Sequence, residues 1–148
     1  MRDDAGMSDH GPHVSPGFWL HHAYLAWRAA CEARLGETTY PQFNILSAIS
    51  LSAEPPTQQQ AADAARMDRK MASKLIATLE DRALVARVPD PADARARRLR
   101  LTEAGREVLR SCIAAARQAD AEVFGTDPDS DRLLGQLRAI AERRTPPS

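Results

Sequence analysis

Residues 57–102 read TQQQAADAARMDRKMASKLIATLEDRALVARVPDPADARARRLRLT, and this stretch decides the predicted fold. Its first half contains two helical patterns separated by a very short turn. Thr57-Gln58-Gln59-Gln60 has the Thr-x-x-Gln form of a capping box and opens a short helix, and Asp68 offers an N-cap for a second helix. Two helices joined so tightly are typical of a helix-turn-helix unit.

The second of these helices is predicted over residues 69–82, with one apolar face and one face of basic and small side chains. A helix that enters the major groove of DNA needs this division, because the scaffold must hold one face while short polar and cationic side chains on the other reach base edges and phosphates. For this helix alone, an ordinary solvated face is the alternative. One stripe is apolar and is predicted to pack, namely Met71, Ala72, Leu75, Ile76 and Leu79.

A β-hairpin is predicted directly after the second helix. Residues 84–88 form a short apolar strand, Pro89-Asp90-Pro91 is a turn signal, and residues 97–101 alternate apolar and charged side chains with a period of two. A hairpin in this place makes a winged helix. Arginines on such a protruding loop suit the narrow minor groove, where the negative potential of DNA is strongest.

Helices are predicted on both sides of this winged-helix region. Apolar spacing indicates a first helix over 18–35 that ends at Gly36, and a Thr-x-x-Gln box at Thr39 opens another that stops before Glu54. After the hairpin, Thr102 caps a long helix from 103 to about 124, although periodicity gives no reason for Gly105. A last helix runs from Asp127-Pro128 to about Glu142. The fold class is therefore mostly α with a small β-hairpin wing.

Composition and charge agree with this prediction. Aromatic residues are only 5% of the 148 residues, and the abundant Ala, Leu and Arg favour helices. Although the formal net charge is zero, residues 66–110 carry 12 basic and 7 acidic side chains between two acidic flanks. A basic island is a reason to look for a nucleic-acid surface, and a solvated face is its alternative.

Cellular location is predicted from what the sequence lacks. The two cysteines, Cys31 and Cys112, have neither disulfide-framework nor metal-ligand spacing. The sequence shows no long apolar run and no signal-peptide pattern at its start, so we expect a reduced, cytoplasmic protein without a membrane partner. Residues 1–16 are predicted to be a flexible tail, in which His10 and His13 are incidental, and 17–145 a single domain.

The stretch TYPQFNIL, the strand entry LEDRALVAR, the wing DPADAR and the junction LTEAG resemble the MarR (multiple-antibiotic-resistance regulator) family of winged-helix transcription factors. The resemblance covers about residues 18–125. It implies a homodimer, in which helices within 17–36 and 103–143 interlock below two winged-helix lobes formed by about 39–102. It also implies a repressor on a palindromic double-stranded DNA operator, usually released by a small-molecule effector or an oxidant.

Site residues follow from the same resemblance. The helix that begins at Asp68 corresponds to the recognition helix, and Asp93 and Arg95 match a wing pair in which the carboxylate orients the guanidinium that enters the minor groove. Arg87 either packs at the base of the wing or contacts phosphate. Two positions depart from the family pattern: Ala94 replaces a frequent arginine, and Ala83 replaces a frequent glycine. The predicted DNA contacts are Gln58, Gln59, Asp68, Arg69, Lys70, Ser73, Lys74, Asp93, Arg95, Arg97 and Arg98.

Two kinds of effector remain open. The pockets of this family lie between the dimerisation helices and the DNA-binding lobe, which makes aromatic residues of the first two helices candidates, although core or interface packing is their more common role. Some relatives are switched by oxidation of a first-helix cysteine, so Cys31 is the redox alternative; its apolar stripe favours a buried, inert thiol, and Cys112 is interpreted in the same way. The predicted pocket residues are Trp19, His22, Tyr24, Trp27 and Phe43.

Other functional classes are disfavoured. The sequence has no nucleophile elbow, Gly-rich phosphate loop or framed carboxylate pair, so no enzyme activity and no cofactor are predicted. His21 and His22 are adjacent and point to different sides of a helix, which disfavours a metal site. A helical interaction module that binds an acidic protein is a further alternative. Preference for two symmetric half-sites in DNA would discriminate between them.

Overall fold

The computed structural model describes residues 11–143. It consists of six α-helices and one two-stranded antiparallel hairpin in that range, besides a three-residue 3-10 helix at Pro12–Val14. The elements in chain order are α1 (Pro16–Glu32), α2 (Tyr40–Leu51), α3 (Gln58–Ala64), α4 (Arg69–Asp81), β1 (Val85–Pro89), β2 (Arg97–Leu101), α5 (Glu103–Phe124) and α6 (Pro128–Arg143). The predicted fold class is confirmed.

The chain divides into two compact units. One is Cys31–Ala116, here called the lobe, which contains α2, α3, α4 and the hairpin. The other, here called the terminal unit, is Met1–Ala30 with Arg117–Ser148, of which residues 11–30 and 117–143 are described. The boundaries fall within α1 and α5.

The helix-turn-helix part of the lobe begins with the predicted capping box. The Thr57 hydroxyl accepts from the Gln60 amide at 3.2 Å, and Gln60 Oε1 accepts from the Thr57 amide at 2.9 Å. The same reciprocal pair at Thr39 and Gln42 opens α2. Each box satisfies two backbone donors that a helix start leaves without partners. Both short helices therefore begin where the local sequence predicted them.

The core of the lobe lies between α2, α3, α4 and the hairpin. Ala72, Ile76 and Leu79 of α4 are buried, as predicted, against a centre that includes fully buried Ile45 and Leu46. The stripe prediction is wrong for Met71, which is 45% exposed. Met71 lies one 100° step from Ala72 at the edge of the stripe and in the first turn of α4, so it falls outside the packed face.

The hairpin follows α4 directly and has the predicted alternation. Val85 pairs with Leu101 and Pro89 with Arg97, so β1 begins one residue later than predicted. Leu99 and Leu101 are buried. The Leu99 amide also donates to the Pro56 carbonyl at 2.8 Å, which attaches the outer edge of β2 to the loop before α3.

The junction between the hairpin and α5 explains the glycine that periodicity left unexplained. Thr102 donates its amide to the Leu84 carbonyl at 3.1 Å, and its hydroxyl accepts from the Gly105 amide at 3.0 Å, as a helix cap does. These bonds bring the start of α5 close to Leu84, the residue before β1. A Cβ at position 105 would collide with the Leu84 carbonyl oxygen. Only glycine fits there.

The first helix differs from its prediction at both ends. It begins at Pro16 and ends at Glu32, whereas the prediction placed a flexible tail through residue 16 and a helix to Gly36. Amide-to-carbonyl bonds from Arg34 to Cys31 and from Leu35 to Glu32 form turns after Glu32, and the chain reaches Gly36 with φ of +63°. The predictions for residues 1–10, including His10, and for residues 144–145 concern positions outside the described residues.

The terminal unit contains most of α1, the last turns of α5 and α6. The Trp27 indole of α1 donates to Asp120 Oδ1 of α5 at 2.7 Å. No residue of α6 is buried, and many apolar side chains of this unit are exposed. In the part of the chain that the structure describes, no helix has the length and hydropathy to cross a membrane.

Candidate nucleic-acid interface

The exposed face of α4 carries the predicted basic and small polar side chains. Arg69, Lys70, Ser73 and Lys74 are all exposed, while the opposite face is buried in the lobe. Asp68 has a structural use, because its Oδ1 accepts from the Met71 amide at 3.0 Å and caps the helix. The helix therefore presents cations and a hydroxyl on a surface that the core holds from behind.

Gln58, at the start of α3, is part of a polar cluster that the sequence did not reveal. Arg87 of β1 donates from Nη2 to Gln58 Oε1 at 3.0 Å and from Nε to Glu80 Oε1 of α4 at 2.8 Å. Arg87 therefore joins β1 to α3 and α4 at the base of the wing. Because the Gln58 oxygen is occupied, its NH₂ group is the part left to donate to an anion. Neighbouring Gln59 is exposed.

The tip of the wing is ordered by carboxylates that accept from backbone amides. Asp93 Oδ1 accepts from the Arg95 amide at 2.9 Å, and Asp90 Oδ1 accepts from the Ala92 amide at 2.9 Å. The resemblance implied instead that the Asp93 carboxylate orients the Arg95 guanidinium. Within residues 11–143 that guanidinium is exposed and forms no hydrogen bond or ion pair, so Asp93 positions Arg95 through its main chain.

The remaining wing arginines differ from one another. Arg97 is exposed and donates to the Ala94 carbonyl at 3.3 Å. Arg98 is half-buried, with Nε donating to Asp90 Oδ2 at 2.8 Å and Nη1 donating to the Pro55 carbonyl at 2.9 Å. The backbone amide of Ala92 and the Arg98 guanidinium lower the pKa of Asp90. Of the two, Arg97 keeps its side chain on the surface, whereas that of Arg98 is engaged within the lobe.

Three of the five predicted pocket residues come together in the structure. Trp19, Tyr24 and Trp27 line an apolar cavity of about 670 Å³ in the terminal unit, together with residues such as Phe124 and Leu137. The other two predicted residues, His22 and Phe43, do not line this cavity. His22 is exposed with its ring against that of Phe18, at a centroid distance of 4.3 Å. Phe43 is buried in α2 of the lobe.

Both cysteines are buried. Cys31 has no exposed surface, and Cys112 is 2% exposed. Burial raises the pKa of the Cys112 thiol, against smaller opposing effects of the Thr38 hydroxyl and the Arg82 guanidinium. A redox sensor needs an accessible thiolate, so neither environment favours that role. Among residues 11–143, no cluster of His, Cys, Asp and Glu has the form of a metal site.

Comparisons with known proteins agree with this geometry. The MarR family model matches residues 38–96. Transcriptional regulator HosA of Escherichia coli O111:H- is 33% identical over 123 residues, which cover 82% of this chain and 84% of HosA. The HTH-type transcriptional regulator YdcH of Bacillus subtilis (strain 168) is 28% identical over 135 residues, covering 88% of this chain and 92% of YdcH.

A solved structure extends the likeness to the whole fold. The structure of BpsR from Bordetella bronchiseptica, described with the regulation of its DNA binding by 6-hydroxynicotinic acid, has a TM-score of 0.71 and 26% identity. The match covers 87% of this chain and 98% of BpsR. The relatives of this chain are transcriptional regulators and not enzymes. With a winged helix that exposes a basic α4, and with these relatives, this chain belongs to the MarR family of transcriptional regulators.

Proposed function

We propose that the protein is a homodimeric repressor that binds a palindromic double-stranded DNA operator and leaves it when a small molecule binds. The observation that carries the proposal is the exposed basic face of α4, made by Arg69, Lys70, Ser73 and Lys74 and held from behind by Ala72, Ile76 and Leu79. An α-helix of this kind fits the major groove, where cationic and hydroxyl side chains reach bases and phosphates.

The wing and the start of α3 supply the remaining contacts. Arg95 enters the minor groove from a tip that Asp93 orders, and Arg97 contacts the phosphate backbone. Gln58 and Gln59 donate to phosphates, which fix the position of the protein on the duplex without reading its sequence. Asp68 is assigned to the helix cap, since a carboxylate near phosphates is repelled by them.

Dimerisation is supported by the apolar surface of the terminal unit. Val14, Leu25 and Leu134 are exposed there, an arrangement that a water-soluble monomer rarely keeps. A second copy that covers this surface would give the assembly a two-fold axis, and a two-fold protein matches a palindromic site with half-sites about one turn of DNA apart.

The effector is proposed to be a small aromatic acid. The cavity lined by Trp19, Tyr24 and Trp27 is apolar and has the volume of a small-molecule site. The regulation of BpsR by 6-hydroxynicotinic acid supports this chemical class. Cys31 is left out of the proposal, because its sulfur has no exposed surface on which an oxidant could act.

DNA binding is tested with a duplex that the wild-type protein selects from a random-sequence library. We expect selected sequences to be palindromic, and Lys74→Ala and Arg95→Ala each to weaken binding by about 1–3 kcal/mol, since each removes a groove contact. Arg132→Ala on α6 is the control, because it removes one exposed cation outside the lobe. Equal affinities for all three variants and the wild type would contradict the interface.

Repression and release are tested with the same duplex. Placed across a promoter, it should lower transcription when the protein is present. In a thermal-shift screen of aromatic acids, a ligand of the folded protein raises the melting temperature, and the effector should also release the duplex. A ligand that stabilises the protein and leaves DNA binding unchanged would argue against the release mechanism. If the protein selected no DNA sequence from the library, a helical interaction module that binds an acidic protein would be favoured.

A further inference from the structure

Arg98 differs from the exposed arginines around it. Its side chain is 23% exposed, and that of its partner Asp90 is only 9% exposed. The guanidinium donates from Nε to Asp90 Oδ2 at 2.8 Å and from Nη1 to the Pro55 carbonyl at 2.9 Å. Two of its nitrogen atoms are therefore engaged inside the lobe, whereas the sequence predicted that Arg98 contacts DNA.

The partners of Arg98 belong to separate segments. Asp90 begins the turn of the wing and accepts from the Ala92 amide with its other oxygen. Pro55 lies in the loop that leads to the Thr57 cap of α3. Next to the Arg98 contact, the Leu99 amide donates to the Pro56 carbonyl at 2.8 Å. One side chain thus joins the turn of the wing, its returning strand and the entry to the helix-turn-helix.

A two-stranded hairpin needs such support, because two strands alone are marginally stable in water. The wing has only β1 and β2 in its sheet. The loop at Pro55 and Pro56 serves as an anchor with restricted backbone freedom, since each proline ring fixes φ. The guanidinium adds a two-point contact of defined direction, which a single charge–charge contact does not give.

We propose that Arg98 is a positioning residue that braces the wing against the entry of α3 and thereby places Arg95 for the minor groove. The inference rests on the proposed function, in which the wing binds DNA. It assigns Arg98 and Asp90 to one unit, here called the brace. Arg98 acts on DNA affinity through the location of Arg95, and its own guanidinium does not contact the duplex.

Asp90→Asn tests the brace, because two explanations predict opposite signs. The substitution removes a negative charge from a protein that binds a polyanion, which on charge alone raises affinity or leaves it unchanged. If the brace positions the wing, affinity for the selected duplex falls instead, by about tenfold. Asp63→Asn on α3 is the matched control, since Asp63 is exposed and its charge change is the same. Asp90→Asn binding as tightly as wild type would overturn the proposal.

A double-mutant cycle separates positioning from direct contact. If Arg98 acts through Arg95, Arg98→Lys weakens the wild type but has little further effect in the Arg95→Ala variant. Additive losses, or full retention of affinity in Arg98→Lys, would instead identify Arg98 as a cation on the phosphates. Circular dichroism and thermal melting of each variant check that the lobe is folded.

A measurement without DNA keeps the test independent of the proposed function. Hydrogen exchange at the Ala96 amide of the wing, which donates to the Asp93 carbonyl, should be faster in Asp90→Asn than in Asp63→Asn, because the brace holds the turn closed. Equal exchange rates would overturn the brace even in a protein that binds its duplex. A wild-type protein that binds no duplex, yet shows the faster exchange, would refute the proposed function and keep the brace as a structural element.

Discussion

The lobe and the terminal unit differ in how they bury apolar side chains. The lobe encloses its own core, with Ile45, Leu46, Ile76 and Leu99 fully buried. In the terminal unit, α6 has no buried residue, and Trp19 and Leu134 are more than half exposed. Because hydrophobic burial is the main favourable contribution to folding, the lobe carries its own stability, whereas the terminal unit presents an apolar surface that needs cover.

The largest effect is expected on dimer stability, when a substitution places a charge on that apolar surface. Leu134→Glu places a carboxylate on the exposed apolar surface of α6 and should weaken the dimer by about 3 kcal/mol or more, because an unpaired charge buried in an interface must lose its hydration. Sedimentation velocity over a range of protein concentrations measures the shift towards monomer. Gln136→Glu is the control, since it adds the same charge at an exposed position of the same helix.

If Leu134→Glu and Gln136→Glu sedimented alike, the apolar surface of the terminal unit would need no partner.

Two glycines sharpen the contrast between the units, because the same substitution should change stability in opposite directions. Gly105→Ala in the lobe forces a methyl group against the Leu84 carbonyl oxygen and should cost about 1–3 kcal/mol of unfolding free energy. At Gly135 on α6 no atom lies within 4 Å of an added Cβ, so Gly135→Ala should stabilise the helix by about 1 kcal/mol. Urea denaturation at one fixed protein concentration measures both. A loss in both variants would refute the close approach as the cause.

The smallest effect is expected on the stability of the lobe at alkaline pH. Burial raises the pKa of Cys112 in the folded state, so the unfolded thiol loses its proton at a lower pH than the folded one. Unfolding therefore becomes more favourable as pH rises past the ordinary thiol pKa, and it continues to do so until the folded thiol also ionises. The urea midpoint should fall less steeply with pH in Cys112→Ala. Identical slopes in the two proteins would show that the shift has no measurable influence.

Sequence predicted the parts of the lobe whose signals are local. The Thr57 box, the Asp68 cap and the period-two pattern of residues 97–101 each depend on residues a few positions apart, and each is confirmed. The first helix was placed less well, because the apolar spacing continues to Leu35 although the helix ends at Glu32. Leu35 is buried by a turn, and spacing alone does not distinguish a turn from another helical residue.

The contacts that sequence could not predict join distant residues. Arg98 and Pro55 are 43 positions apart, and Arg87 and Gln58 are 29 apart. A run of arginines predicts a charged surface equally for every member, so Arg98 was grouped with Arg95 and Arg97. Gly105 is similar, because its reason lies in the backbone of Leu84 and not in the helix that contains it.

The sequence from 37 to 104 contains no glycine, although two turns beside α4 use the left-handed backbone conformation. Arg66 before the helix has φ of +52°, and Ala83 after it has φ of +56°. A residue with a side chain is strained there by roughly 1 kcal/mol relative to glycine, but it also has fewer backbone alternatives. The backbone is therefore more restricted at both ends of α4 than it would be with glycine. We expect a movement that takes α4 away from DNA to move α3 and the wing with it.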